Sequence, residues 1–155
     1  MAPTRTFFIA LVFAAAGSLA SAGGHDGNPA VKARKAHMQL YAHNLGILGG
    51  MARGNMEYDA DAAQAAASNM AALSSLNQRS YWAPGTSNAE LGDETKALPA
   101  IWEQGSTAGQ IGGELAAASA ALAEVAGNGL EALGPALGPV GATCGACHKA
   151  YRVAD

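Results

Sequence analysis

Four stretches of this chain repeat apolar residues every three and four positions, and glycine, proline and asparagine interrupt the pattern between them. The period matches the turn of an α-helix, so each stretch reads as a helix that buries one stripe. The first runs from about Pro29 to Arg53 and carries Val31, Met38, Tyr41, Leu45, Leu48 and Ala52, with Gly54-Asn55 as its stop. The second starts near Asp61, with Gln64 placed to complete a capping box. Its stripe is Ala63, Ala66, Met70 and Leu73, with Leu76 alongside. Residues 80–94 break the pattern: Pro84-Gly85 is a turn signal, Thr86-Ser87-Asn88 is loop chemistry, and Tyr81 and Trp82 stand at the start. The third stretch begins around Leu98-Pro99 and follows Ile101, Ala108, Ile111, Leu115, Ala118, Leu122 and Val125 to a stop at Gly127-Asn128-Gly129. The fourth holds Leu130, Leu133, Leu137, Val140, Cys144, Cys147 and Tyr151, with Pro135 and Pro139 expected to kink its first half or confine it to a first turn. Four amphipathic helices with mostly short links give an all-α expectation, an up-down-up-down antiparallel four-helix bundle.

The only two cysteines, Cys144 and Cys147, fall three residues apart on the fourth stripe, and His148 follows at once. On a helix all three point to one side. Two thiols and an imidazole in this spacing attach a c-type haem: the thiols add to the two porphyrin vinyl groups and the imidazole becomes an axial iron ligand. Other readings of the pair fit less well. A thioredoxin-like redox pair needs a βαβ setting, and no strand pattern is present. Zinc needs four ligands, whereas the other histidines lie more than 100 residues upstream and form no second pair. A disulfide across one helical turn would be strained and would close almost no loop. One covalent haem c, tethered by Cys144 and Cys147 with His148 on the iron, is the reading the residues favour.

Residues 1–22 read as an export signal. Arg5 supplies the positive charge, Phe7 to Gly17 the apolar run, and Ala20-Ser21-Ala22 the small-residue cleavage site. The run is short for a membrane span and no second one follows, so no membrane attachment is expected after cleavage. Cleavage after Ala22 leaves residues 23–155 as one domain, exported to the periplasm. All three phenylalanines leave with the signal, and losing Arg5 leaves 8 basic residues against 12 acidic ones, a net charge of −4. There is no basic run, which argues against a nucleic-acid partner. Alanine and glycine are abundant and bulky apolar residues few, so the core is under-filled unless a haem supplies the missing volume. Without haem the protein is expected to be loosely packed. Gly105, Gly109, Gly112 and Gly113 in the third stretch, and Gly46, Gly49 and Gly50 in the first, serve either close helix packing or clearance for a porphyrin edge. His37 and His43 lie off the main stripe, so surface positions are expected for both, with His37 a minor alternative iron ligand. The cleaved N-terminus would expose Gly23-Gly24-His25, whose amine, amides and imidazole can enclose Cu(II) in a square of four nitrogens.

These residues resemble the cytochrome c′ family, the class II cytochromes c, over essentially the whole chain after the signal. The likeness rests on Cys-x-x-Cys-His on the last helix, Arg152 one turn after His148, Arg34 followed four residues later by Met38, and Leu98-Pro99-Ala100-Ile101-Trp102 opening the third helix. The resemblance implies a bundle with one haem c, His148 as proximal ligand, and in many members a homodimer paired through the first two helices. It implies two kinds of relative. High-spin members leave the sixth iron site open, shielded by the residue at the Met38 position, and bind NO or CO there. Low-spin members use a methionine at that position as sixth ligand and carry electrons. Met38 suits either role, as soft lid or as ligand. Arg34 is the candidate for a haem propionate, with a snorkelling surface residue as the alternative. Arg152 is the candidate for tuning His148 from the proximal side, with a helix-end charge as the alternative. Many high-spin relatives place a phenylalanine in the distal pocket; here Tyr41, Met70 or Trp102 would take its place. The balance tips slightly to an open sixth site. The expected function is one-electron transfer through an unidentified redox partner, with possible NO or CO binding; a dedicated NO-sequestering protein is an alternative. A peroxidase is disfavoured, because the first-helix stripe presents Met38 and apolar neighbours instead of an acid–base residue.

Overall fold

A computed structural model describes residues 27–154. The export signal, its cleavage site and the Gly23-Gly24-His25 copper candidate lie outside the described residues.

Four long helices pack around a common axis: α1 (Pro29–Ala52), α2 (Ala60–Ser75), α4 (Ala108–Val125) and α5 (Leu130–Tyr151). A single-turn helix, α3 (Asn88–Leu91), and two short 3₁₀ turns lie in the long connection. Contacts link α1 to α2, α2 to α4, α4 to α5 and α5 back to α1, the last seam being the loosest. Together they make the four-helix bundle that the periodicity predicts.

The helix ends follow from local chemistry. Asn28 caps α1, its side-chain oxygen accepting from the amides of Ala30 at 2.9 Å and Val31 at 3.3 Å, and Pro29 occupies the first turn, where no amide is needed. At the other end Gly54 takes φ +74°, the Asn55 amide donates to Gly50 O at 2.8 Å and the Gly54 amide to Met51 O at 3.0 Å. This pair of bonds stops α1 where the sequence signals a stop. The capping box proposed for Asp61 and Gln64 does not form. Asp59, two residues earlier, is the cap, accepting from the Ala62 amide at 2.9 Å. Gln64 reaches across to α4 instead, donating to Ala123 O at 2.7 Å and accepting from the Gly127 amide at 3.3 Å.

Two further expectations are corrected, and one of the two alternatives for Pro135 and Pro139 is removed. The third long helix starts at Ala108, not near Leu98: Pro99–Ile101 is a 3₁₀ turn, and Gly105, at φ +87°, turns the chain before α4. The apolar spacing of Leu98, Ile101 and Trp102 mimics a helix, but the Leu98 amide is taken by Tyr151 O at 2.9 Å, and Val153 donates to Lys96 O at 2.8 Å. A short antiparallel bridge between Ala97 and Arg152 thus ties this connection to the C-terminus. Thr86-Ser87-Asn88 is more than loop, since Ser87 and Glu90 form a capping box that starts α3. α5 runs as one helix through Pro135 and Pro139, neither of which confines it.

The sealed core runs from the end where α1 finishes, α2 starts, α4 finishes and α5 starts to the middle of the bundle, where Met70 and Val140 lie. Leu48, Met51, Met70, Leu122, Leu133 and Val140 are almost completely buried there, with Ala63, Ala66 and Ala67 letting α2 approach. Each large side chain contributes about 1.5–3 kcal/mol by leaving water. Tyr58 stitches this end, its hydroxyl donating to Ala126 O and accepting from the Gly129 amide, both at 2.8 Å. Leu76, placed beside the α2 stripe by sequence, is half exposed.

Candidate functional site

At the opposite end the helices leave a cavity of about 680 Å³. Met38, Tyr41 and Leu45 of α1 form one wall, Cys144, Cys147 and His148 of α5 another, and Ile111, Gly112, Gly113 and Leu115 of α4 a third. Trp82, Ile101 and Trp102 close it from the long connection. The 3–4 spacing on α5 brings both thiols and the imidazole to the same space, as the sequence predicts. The cysteines are half-buried and His148 is more exposed.

The glycines of α4 settle how this space arises. A methyl group added at Gly109, Gly112 or Gly113 would meet nothing within 4 Å, so these residues are not there for close helix packing. All three line the cavity, which is the clearance reading. Each glycine inside a helix costs about 1 kcal/mol relative to alanine, and here that cost keeps one wall flat. A broad, mostly apolar slot with two thiols and an imidazole along one side matches the size, polarity and donor set of a covalently held haem.

Burial pushes the thiols of both cysteines above their ordinary range, and at Cys144 the neighbouring Cys147 adds to the effect. That is opposite to the depressed thiol of a redox-active Cys-x-x-Cys. Burial also pushes the Tyr41 phenol up to about 12, with the Gln78 side chain pulling weakly the other way, so it stays protonated at neutral pH.

His37 is a correction. It is 4% exposed, not on the surface, because α1 is covered on that side by the long connection. Its ring meets Tyr41 edge-on at 4.6 Å and lies 5.6 Å from Tyr81. Burial lowers its pKa, so the neutral imidazole is favoured. His43 is exposed, as expected. Met70 lies in the sealed core and is no substitute for a distal phenylalanine, whereas Tyr41 and Trp102 both line the cavity.

Arg34 is buried, which removes the snorkelling alternative. Its guanidinium donates to Tyr81 O at 3.3 Å, Thr86 Oγ1 at 3.2 Å, Thr86 O at 3.0 Å and Thr95 Oγ1 at 2.8 Å. Arg152 is half-buried at the end of α5, its amide donating to His148 O at 3.1 Å. The sequence did not single out Thr86 and Thr95 as partners of Arg34. They lie 52 and 61 residues from it, and no local pattern signals such a contact.

Comparison with known proteins agrees with this geometry. The family described as Cytochrome C′ matches residues 29–152. Cytochrome c-554 from Cereibacter sphaeroides is 39% identical over 125 residues, 81% of this chain and 81% of the relative. Cytochrome c′ from the same species is 38% identical over 149 residues, 96% of this chain and 98% of the relative. The solved structure of cytochrome c′ from Rhodobacter sphaeroides has a TM-score of 0.78 at 40% identity, covering 81% of this chain and 96% of that one. A nitric oxide complex of a variant of cytochrome c prime from Alcaligenes xylosoxidans has a TM-score of 0.69 at 31% identity, covering 81% and 94%.

Proposed function

The chain belongs to the cytochrome c′ family of haem c proteins, and from that premise we propose that it is a periplasmic one-electron carrier whose iron also takes a small gas such as NO or CO. Cys144 and Cys147 would tether the haem and His148 would hold its iron. The observation that carries the reading is the shared cavity: Met38 of α1 and His148 of α5 line one space, with the porphyrin-sized clearance of Gly109, Gly112 and Gly113 beside them. A haem bound here would supply reversible one-electron chemistry and bind a diatomic ligand.

In this reading the residues of the chain do the rest. Met38 shields the sixth position as a soft, movable apolar lid. Ile111, Leu115 and Trp102 keep water away from the cavity. The α1 wall presents Met38, Tyr41 and Leu45 instead of a histidine or carboxylate, which supports a carrier over an enzyme. Arg152, one turn beyond His148, tunes the ligand from the proximal side. The export signal at residues 1–22 supports the periplasmic assignment. Exposed Leu40 on α1 and Met56 in the α1–α2 connection support a homodimer through these helices, which sedimentation of the haem-loaded protein would detect.

A second reading keeps Met38 as sixth ligand in a low-spin electron carrier. It is favoured by the same placement of a thioether in the cavity. Optical spectra separate the two. The open-site reading expects a broad high-spin ferrous spectrum that responds to CO or NO. Sharp, split bands indifferent to CO mean methionine ligation. Met38→Ala then tests the lid: unchanged gas affinity and an unchanged spectrum would remove Met38 from the iron.

A further inference from the structure

We propose that Arg34 is a positioning residue that holds the tryptophan wall of the haem cavity by clamping the long connection onto α1. Arg34 is 5% exposed, and the four described bonds of its guanidinium all go to neutral oxygens, on Tyr81, Thr86 and Thr95. A buried cation without a carboxylate partner is costly. Four charge-assisted hydrogen bonds offset that cost, and so do two ring faces: the guanidinium carbon lies 4.8 Å from the Trp82 ring centre and 6.0 Å from that of Trp102.

The consequence reaches the cavity because both rings line it. Trp102 also donates its indole N–H to Trp82 O at 2.9 Å, which ties the two tryptophans to each other. Residues 81–95 contain no long helix of their own, and the clamp takes hold of them at three points. A lysine in place of Arg34 keeps the charge but loses the planar fork that reaches Tyr81, Thr86 and Thr95 together.

This role deepens the haem reading and differs from a direct bond to a propionate. The two are told apart in the haem-loaded protein by Arg34→Lys, Thr86→Val, Thr95→Val and the double variant Arg34→Lys/Thr86→Val. Hydrogen exchange of the Trp102 indole N–H reports the wall without reference to iron, and the reduction potential reports the haem. The clamp requires Thr86→Val or Thr95→Val, which keep the charge, to speed indole exchange by about tenfold or more, the loss of one charge-assisted bond. It also requires the potential in Thr86→Val to shift in the same direction as in Arg34→Lys, with no larger shift in the double variant. If the threonine variants leave exchange and potential at wild-type values while Arg34→Lys moves the potential, Arg34 acts on the haem directly and the clamp is overturned. Unchanged exchange in every variant also overturns it. If Arg34→Lys does not fold, the threonine variants decide alone.

Discussion

From one end of the bundle to its middle, Leu48, Met51, Met70, Leu122, Leu133 and Val140 fill the space between the helices. At the other, the same helices present Met38, Gly109, Gly112, Gly113, Cys144 and Cys147 around a cavity of about 680 Å³. Helix geometry is common to both ends, so side-chain volume makes the difference. Where bulky residues interdigitate the bundle stabilises itself; where glycine and alanine line α4, it depends on a guest. The two ends are also fastened differently. Side chains of Tyr58 and Gln64 stitch the sealed end, whereas the open end adds the Arg34 fork and a backbone bridge between Ala97 and Arg152 to the contact of the Tyr151 hydroxyl with Thr107.

The largest expected effect comes from removing the guest. Cys144→Ala/Cys147→Ala should abolish the covalent haem spectrum and collapse the near-UV circular dichroism of Trp82 and Trp102. Amides near Leu122 and Leu133 should stay protected from hydrogen exchange longer than those of the cavity end. A sharp, native-like near-UV spectrum in this variant would contradict the division between the ends.

Much of that division was legible in the sequence. The stripes of α1 and α5, the Gly54 stop and the convergence of Cys144, Cys147 and His148 all follow from local periodicity and spacing. The start of α4 was not legible, because Leu98, Ile101 and Trp102 keep a helical rhythm while the backbone at Lys96, Ala97 and Leu98 pairs with the C-terminus. The burial of His37 was hidden for a related reason: the long connection that covers it is 40 or more residues away in sequence. Gln64 looked like a local cap and instead spans to α4. Each miss is a tertiary contact that overrides a local signal.

Leu133→Ala should come next in size. It opens a void in the sealed end and should cost about 2–5 kcal/mol in chemical denaturation, with the haem spectrum unchanged. A spectral change would mean the ends are coupled more tightly than their separate packing implies.

Alkaline pH probes the cavity end. The Tyr41 phenol is raised by burial from 10 to about 12, so the unfolded chain gives up this proton first. The associated stability is complete below about pH 10 and is lost as pH rises toward 12, by about 2–3 kcal/mol in all. Denaturation midpoints followed from pH 8 to pH 11.5 should fall, and Tyr41→Phe should flatten the fall. An equally steep decline in Tyr41→Phe would assign it elsewhere.

Gly112→Ala should produce the smallest effect and the most selective one. Without haem the alanine should stabilise α4 by about 1 kcal/mol, since its methyl meets no atom. With haem the gain should vanish, because the methyl projects into the space the porphyrin needs. Equal stabilisation of both forms would show that the glycine wall is not a clearance.

The most direct test of the covalent assignment is intact mass spectrometry of the exported protein from its own host, after acid extraction to strip any loosely held porphyrin. The account predicts the processed polypeptide plus one haem, localised by digestion to the peptide containing Cys144 and Cys147. A bare polypeptide mass, with the porphyrin recovered in the extract, would contradict it.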